Sequence, residues 1–352
     1  MNILYLISSL DYGGAEKQTV LDANMMVSHN EVFLGFFFDG PLEKILDSRV
    51  KAIKIKKKNY LFTAVKIAGL VKQNNIQLIH SSLFASMIIS AVGSLFCKAK
   101  VVWHFHNHES DLPWFHRMAY KMLARSPGLK KICFVNKELI WYFRQRGFNF
   151  PRHKIKLLYN NASVPQSEIE KMGSGKTIIG YIGRLVSLKR VEYLIELAQY
   201  LIDNKFVSFI IQIVGDGDQR NLLEQEVRKK ELQSYISFVG FQQDVGKYYH
   251  NFDLFVNPSR EECLSIALID AGICKLPSVA FDAGGNNEII IDSQTGYIVN
   301  TKEEFFVKVF LLVINKTLRG EMGAKAKEHC INQFSEEAHY RQLESLYKEV
   351  ME

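Results

Sequence analysis

An α/β protein of two units, each built on a parallel sheet, is the fold class this sequence predicts, and three observations predict it. The chain has 352 residues, more than one hydrophobic core holds, since single cores stop growing near about 250–300 residues. Short apolar runs alternate with longer amphipathic ones, the pattern of strands joined by crossover helices. The rhythm stops once, in a polar stretch from Asn160 through Gly173-Ser174-Gly175, and restarts at Thr177.

In order, Ile3–Ile7, Val32–Phe38, Ile76–His80, Val101–Phe105, Ile132–Val135 and Ile155–Leu158 read as strands of the first unit. Thr177–Ile182, Phe209–Val214, Ile236–Val239, Leu254–Val256, Ser278–Phe281 and Tyr297–Val299 read as those of the second. Two Rossmann-like units follow, with a linker near 163–176. The expected domains are 1–163, 164–334 and a terminal segment 335–352. Ligands of such units gather at the carboxyl ends of the strands, here expected to face a cleft.

Composition narrows the classes. An apolar fraction of 47% with only 7 prolines marks a globular chain without repeats or low-complexity tracts. Residues 1–165 carry 23 Lys+Arg against 10 Asp+Glu, a net of +13, while the rest carries 21 against 27, a net of −6. A basic first half points to an anionic partner: nucleic acid, an anionic membrane surface or a phosphorylated substrate. Five cysteines, Cys97, Cys133, Cys263, Cys274 and Cys330, show no Cys-x-x-Cys pair, as expected of reduced thiols in the cytosol. The opening residues lack the basic region of a signal peptide and read as a first buried strand. Ser81 to Cys97, uncharged but studded with serines, reads as a core helix shorter than a membrane span requires.

Several motifs carry chemistry. Gly13-Gly14-Ala15-Glu16 follows the first strand and opens a helix, so a ligand can approach backbone amides there; an ordinary tight turn is the alternative. Val102-Trp103-His104-Phe105-His106-Asn107-His108 ends a strand, and alternation puts His104 and His106 on one side. His106 is the candidate for hydrogen bonding a sugar hydroxyl or acceptor; a zinc site would lack a fourth ligand. Basic residues interleave with apolar ones at Lys54, Lys56, Lys57 and Lys58, then at Arg117 and Lys121 within Trp114–Met122. Such surfaces rest on anionic headgroups without spanning the bilayer.

In the second unit Gly183-Arg184-Leu185-Val186-Ser187-Leu188-Lys189 follows a strand, and Arg184 and Lys189 can neutralise a diphosphate leaving group. Arg190 reads as a solvated helix charge. Val214-Gly215-Asp216-Gly217-Asp218 ends the next strand; its glycines favour a turn near a nucleotide over a metal-binding acid pair, and Arg220 stands where a dinucleotide fingerprint needs its third glycine. In Asn257-Pro258-Ser259-Arg260-Glu261-Glu262-Cys263-Leu264-Ser265, Glu262 can accept from sugar hydroxyls, and the amides near Leu264 and Ser265 can hold phosphate oxygens. Asp270, in the apolar helix that follows, requires a buried hydrogen-bonding partner such as a ribose diol. Glu288, behind Gly284-Gly285, is placed to orient Lys189 or to cap the next segment.

Together these motifs resemble the family-4 retaining glycosyltransferases, whose GT-B fold has two Rossmann-like domains with parallel sheets facing across a cleft. The resemblance runs from Gly13-Gly14 to Gly296-Tyr297. It implies that Gly14 approaches the diphosphate, that Arg184 and Lys189 stabilise it as it departs, that Glu262 contacts the donor sugar and Asp270 the ribose, and that His106 sits beside the reacting centre. The chain departs from the family pattern in having Asp270 for Glu, and Cys263-Leu264-Ser265 for Gly-Phe-Gly. The resemblance further implies a nucleotide-sugar donor, a UDP-sugar, and a glycan or lipid-linked glycan acceptor in cell-surface polysaccharide assembly. It implies no cofactor, no catalytic metal and no nucleic-acid partner, a cytoplasmic enzyme peripheral on the inner membrane face, and a last helix, from about Ser335, packed on the first domain. A Rossmann-type oxidoreductase and a non-enzymatic basic binding module are the competing classes.

Overall fold

The computed structural model describes residues 1–108, 113–162, 164 and 175–352. The expected linker near 163–176 lies mostly outside the described residues. The chain divides into two compact units, residues 1–160 with 339–352 and residues 161–338.

In the first unit the order is β1 (Asn2–Ser9), α1 (Gly14–Met26), β2 (Glu31–Phe38), β3 (Lys51–Lys54), α2 (Tyr60–Gln73), β4 (Leu78–Ser82), α3 (Phe84–Gly93), β5 (Lys100–Phe105), α4 (Trp114–Leu123), β6 (Leu129–Phe134), α5 (Lys137–Gln145) and β7 (Ile155–Leu157). The second contains β8 (Thr177–Ile182), α6 (Glu192–Asp203), β9 (Phe209–Val214), α7 (Arg220–Lys229), β10 (Ile236–Gly240), α8 (Gly246–Asn251), β11 (Leu254–Asn257), α9 (Ile266–Ile273), β12 (Ser278–Phe281), α10 (Asn286–Ile289), β13 (Gly296–Val299), α11 (Lys302–Ile314) and α12 (Lys316–Phe334). Helix α13 (Glu336–Met351) ends the chain.

Among the described residues the strands form two sheets, ordered β3-β2-β1-β4-β5-β6-β7 and β10-β9-β8-β11-β12-β13. Every strand pair is parallel. The second sheet therefore follows the Rossmann order 3-2-1-4-5-6 and the first the same order with a seventh strand added, and in each the winding reverses beside the first strand, between β1 and β4 and between β8 and β11. The carboxyl ends at those reversals carry Gly13-Gly14 and Ser82 in one unit, and Gly183-Arg184 and the loop after Asn257 in the other.

Helices on both faces leave the central strands little solvated side, so their runs are largely buried rather than alternating. β1 buries Ile3, Leu4, Tyr5, Leu6 and Ile7, and β2 buries Val32 through Phe37. β3 is the strand that the periodicity does not announce. Its four residues, Lys-Ala-Ile-Lys, lie at the sheet edge with only Ile53 partly covered, where lysines discourage further strand pairing.

Ser81 to Cys97 contains the buried helix α3, as its serine-rich composition predicts. Among the described residues no helix is long and apolar enough to cross a membrane. In α11, Thr301 and Glu304 form a reciprocal capping box. Helix α13 belongs to the first unit from His339 onward. There the Tyr347 hydroxyl lies 2.7 Å from that of Tyr5 and 2.5 Å from His80 Nδ1.

Candidate functional site

The second unit collects its charged candidates around the ends of β8 and β11. After Ile182 the chain enters Gly183-Arg184 and a single 3-10 turn, Ser187–Lys189. The Arg260 N–H donates to the Leu188 carbonyl at 2.9 Å, tying that turn to the loop after β11. Lys189 Nζ donates to Glu262 Oε1 at 2.6 Å, with side chains only 19% and 12% exposed. Asn257, the last residue of β11, donates from Nδ2 to the same Glu262 oxygen at 3.2 Å and to Ser265 Oγ at 3.1 Å. Ser265 in turn caps α9, accepting from the Leu268 N–H. One amide thus orients the acid and the helix cap together, and a carboxylate held by a cation and an amide keeps a fixed direction.

Glycine backbones bring the neighbouring turns close. Gly284 has φ +55°, and a Cβ there would fall 2.0 Å from the Glu262 carbonyl oxygen. The Gly285 N–H donates to the Cys263 carbonyl at 2.6 Å. Gly215 has φ +139°, and a Cβ there would fall 1.9 Å from the Gly183 carbonyl oxygen. Side chains at either position would separate the loops.

Arg184 is exposed, and its guanidinium has no ion pair or hydrogen bond among the described residues. The Leu264 and Ser265 N–H groups likewise have no acceptor among them, although both residues are buried. A free guanidinium, a partly buried ammonium and open amides at a helix start form an anion-accepting constellation.

Asp216 is engaged locally. It accepts from Gly217 N and Arg220 Nη1, each at 2.8 Å, and the Gly217 and Arg220 bonds hold its carboxyl below the usual range. Asp270 is buried on α9, and its Oδ1 accepts the Val164 N–H at 3.3 Å. The chain itself thus supplies a partner for this carboxylate. Burial first, then the Asp270 charge, pushes the Cys274 and Cys330 thiols up to about 12. Glu288 is half-buried on the four-residue helix α10, and its carbonyl lies 3.3 Å from His329 Nε2. Arg190 differs from the solvated charge the sequence suggests: its guanidinium lies over the Tyr193 and Phe281 rings, 5.5 and 5.4 Å from their centroids.

In the first unit the imidazole of His106, just past β5, is buried. Its Nε2 lies 3.3 Å from Ser82 Oγ at the end of β4. His104 lies on the same side, with ring centroids 4.0 Å apart, as strand alternation requires. His104 Nε2 lies 3.1 Å from the Leu158 carbonyl. Burial depresses all three imidazoles of this row: His80 to about 4, His106 to about 3, and His104 well below its ordinary value. Gly13 precedes α1 as its cap, and a Cβ on Gly14 would meet nothing within 4 Å, so that helix start has open space beside it.

Residues 165–329 match the family described as glycosyl transferases group 1. The chain carries a glycosyl transferases group 1 domain. A Staphylococcus aureus poly(ribitol-phosphate) alpha-N-acetylglucosaminyltransferase is 32% identical over 164 residues, 46% of this chain; the match spans about a third of that protein, 33%. An Escherichia coli UDP-Gal:alpha-D-GlcNAc-diphosphoundecaprenol alpha-1,3-galactosyltransferase is 22% identical over 335 residues, 88% of this chain and 86% of that one. Among solved structures, Anabaena HepE in complex with UDP superposes with a TM-score of 0.85 at 18% identity, covering 99% of this chain and 100% of that one. The fold is that of the GT-B glycosyltransferases.

Within the group 1 domain, Lys189, Glu262, Leu264 and Ser265 fall in one bonded neighbourhood with the Gly284-Gly285 turn, whereas Asp216 takes its hydrogen bonds from Gly217 and Arg220. Sequence reasoning missed Asn257, which links Glu262 to the cap of α9. The available signal was an amide between a buried strand and Pro258. Outside that domain it also missed His80, Asp22 and His339. Asp22 Oδ1 lies 2.8 Å from His339 Nε2 and accepts Gln18 Nε2 at 2.7 Å, all three buried. An acid amid the apolar residues of α1 was the readable clue for Asp22. Nothing local announced a histidine 317 residues away.

Proposed function

We propose that this chain is a retaining glycosyltransferase that moves a sugar from a UDP-sugar to a hydroxyl of a lipid-linked glycan during cell-surface polysaccharide assembly. One observation carries the reading: the partly buried Lys189–Glu262 pair, braced by Asn257, in the same loop region as the exposed and unpaired Arg184. The alpha-glycosyl products named for the S. aureus and E. coli relatives support retention, and UDP in the HepE structure supports the nucleotide.

In this reading the second unit serves the donor. Arg184 and Lys189 meet the diphosphate, the open amides at Leu264 and Ser265 take its oxygens, and Glu262 accepts from sugar hydroxyls. Asp270, Asp216 and Glu288 complete the nucleotide contacts. As the bond from the anomeric carbon to the diphosphate oxygen breaks, the acceptor oxygen bonds to the same face of that carbon. The acceptor's proton passes to the departing diphosphate, so no protein base is required. Cations that bind the diphosphate more tightly as its charge grows lower the barrier.

The first unit serves the acceptor. His106, held neutral by burial, offers a hydrogen bond that positions a hydroxyl. Metal-independent turnover follows from assigning the leaving-group charge to Arg184 and Lys189. The basic surface at Lys54, Lys56, Lys57, Lys58, Arg117 and Lys121 supports a peripheral seat on the inner membrane face.

A panel of UDP-sugars and a polyprenyl-diphosphate-linked glycan tests the reading. Expected is transfer from one donor with retained configuration, read by NMR of the product. Inversion, or no transfer or hydrolysis from any sugar nucleotide, would overturn it.

A further inference from the structure

The lysines of the first unit do more than add charge, because part of the cluster lines a cavity. A space of about 530 Å³ opens beside Phe37 and Phe38 and is walled by Lys54, Lys56, Lys57, Lys58 and Lys66. It lies at the carboxyl ends of β2 and β3, the side of a parallel sheet where ligands bind. No carboxylate is among its lining residues. Lys54 pairs with Asp39, whereas Lys56, Lys57, Lys58 and Lys66 have no ion pair among the described residues. Four unpaired ammonium groups around one hollow repel each other, and a bound anion relieves that repulsion.

The loop holding them is fixed. Ile55 is buried and its N–H donates to Phe36 O at 2.8 Å; Lys58 N donates to Thr63 Oγ1 at 3.1 Å; Asn59 Oδ1 caps α2 through Phe62 N at 2.8 Å. Lys57 Nζ stands 5.4 Å from the Tyr60 ring centroid, and Lys58 Nζ 4.6 Å from that of Phe62.

Apolar surface adjoins this basic hollow. The first turns of α2 expose Leu61, Phe62 and Val65. From Tyr60 a run of ring contacts crosses Phe84, His116 and Phe115 to Trp114, with centroid separations of 6.3, 4.2, 4.3 and 6.2 Å. It ends on α4, where Trp114 is 75% exposed and Met122 69%. Arg117 on that helix is already committed, donating to the Arg146 carbonyl at 2.7 Å. Charge recognition therefore falls to the lysine hollow, and α4 contributes apolar surface.

We propose that the hollow binds the phosphate of an anionic lipid, while the exposed apolar residues of α2 and α4 enter the acyl layer beside it. The inference deepens the peripheral-membrane reading above and rests on it. A phosphate-bearing amphiphile matches both halves of the surface, whereas a soluble anion leaves Trp114 and Met122 bare.

Co-sedimentation of the full chain tests this, using vesicles of phosphatidylcholine alone and of phosphatidylcholine with phosphatidylglycerol in equal parts. Binding is expected only to the mixed vesicles, with K56Q/K57Q losing on the order of thirtyfold in partitioning. W114S/M122S should lose vesicle binding while calorimetric binding of inorganic pyrophosphate, measured with UDP saturating the donor site and abolished by K56Q/K57Q, survives. If K56Q/K57Q, confirmed folded by circular dichroism, binds like the parent, the hollow is not the site and the peripheral reading alone stands. If the parent binds pyrophosphate but no vesicle, the lipid assignment and the peripheral reading both fall.

Discussion

Glu262 and Gly284 meet backbone to backbone: the left-handed Gly284, at φ +55°, leaves no space for a Cβ against the Glu262 carbonyl oxygen, 2.0 Å from where that atom would lie. The acid loop after β11 and the glycine turn after β12 are therefore placed by one close approach. Gly284→Ala combines a left-handed strain of roughly 1–2 kcal/mol with a backbone clash. The expected outcome is a lower urea midpoint and loss of UDP-sugar turnover. Parental values for both would show that the approach is immaterial.

In the proposed reading Lys189 acts on the reaction through its charge. Lys189→Ala removes a charge-assisted contact of roughly 1.5–3 kcal/mol, about 10- to 150-fold in kcat/KM if the contact tightens in the transition state. The same change strands Glu262, so Lys189→Arg, which keeps the cation, serves as the control and should retain more activity. Steady-state kinetics on the preferred donor decide it, and unimpaired turnover in Lys189→Ala would remove the residue from the mechanism.

Acid should weaken the first unit well before its carboxylates titrate. His80 and His106 are depressed by burial to about 4 and about 3, against about 6.5 in the unfolded chain. From about pH 6.5 downward the unfolded state binds protons that the folded state refuses. Stability therefore rises with pH across that window and is flat above it as far as these groups are concerned. At about pH 5 each histidine should cost about 2 kcal/mol, and His104, depressed in the same way, should add to the loss. Burial alone raises the Asp22 carboxyl, but the His339 and His80 charges and the His339 and Gln18 hydrogen bonds outweigh it, leaving it below its ordinary 3.8. Its share is lost only at still lower pH. Equal urea midpoints at about pH 5 and about pH 7.5 would contradict burial of these rings.

The Asp22–His339 pair joins α1 to α13, its partners 2.8 Å apart and both nearly inaccessible. Removing one partner of such a buried pair typically costs about 3–5 kcal/mol. His339→Ala should lower stability by that order and raise amide exchange across 336–351. Unchanged protection there would mean that the helix is held by its apolar face alone, through Leu343, Leu346 and Val350.

Chelation offers a separate check on the assignment of leaving-group charge to Arg184 and Lys189. Turnover is expected to survive EDTA. Complete loss, restored by Mg²⁺ or Mn²⁺, would transfer that role to a metal ion.

What the sequence determined by itself was whatever depends on neighbours along the chain. Strand runs such as Thr177–Ile182, Phe209–Val214 and Ser278–Phe281 coincide with β8, β9 and β12, because strands covered by helices carry a mostly apolar signature. Strand alternation likewise put His104 and His106 on one side. The edge strand β3 escaped, since an exposed Lys-Ala-Ile-Lys has no period to read.

Tertiary structure alone decided which distant groups became partners. Glu262 gained Lys189 from 73 residues away, and Asp22 gained His339. The physical reason is that a buried polar group must find a partner wherever packing supplies one. Parallel sheets fold segments far apart in sequence onto adjoining strand ends, and no local pattern records that choice.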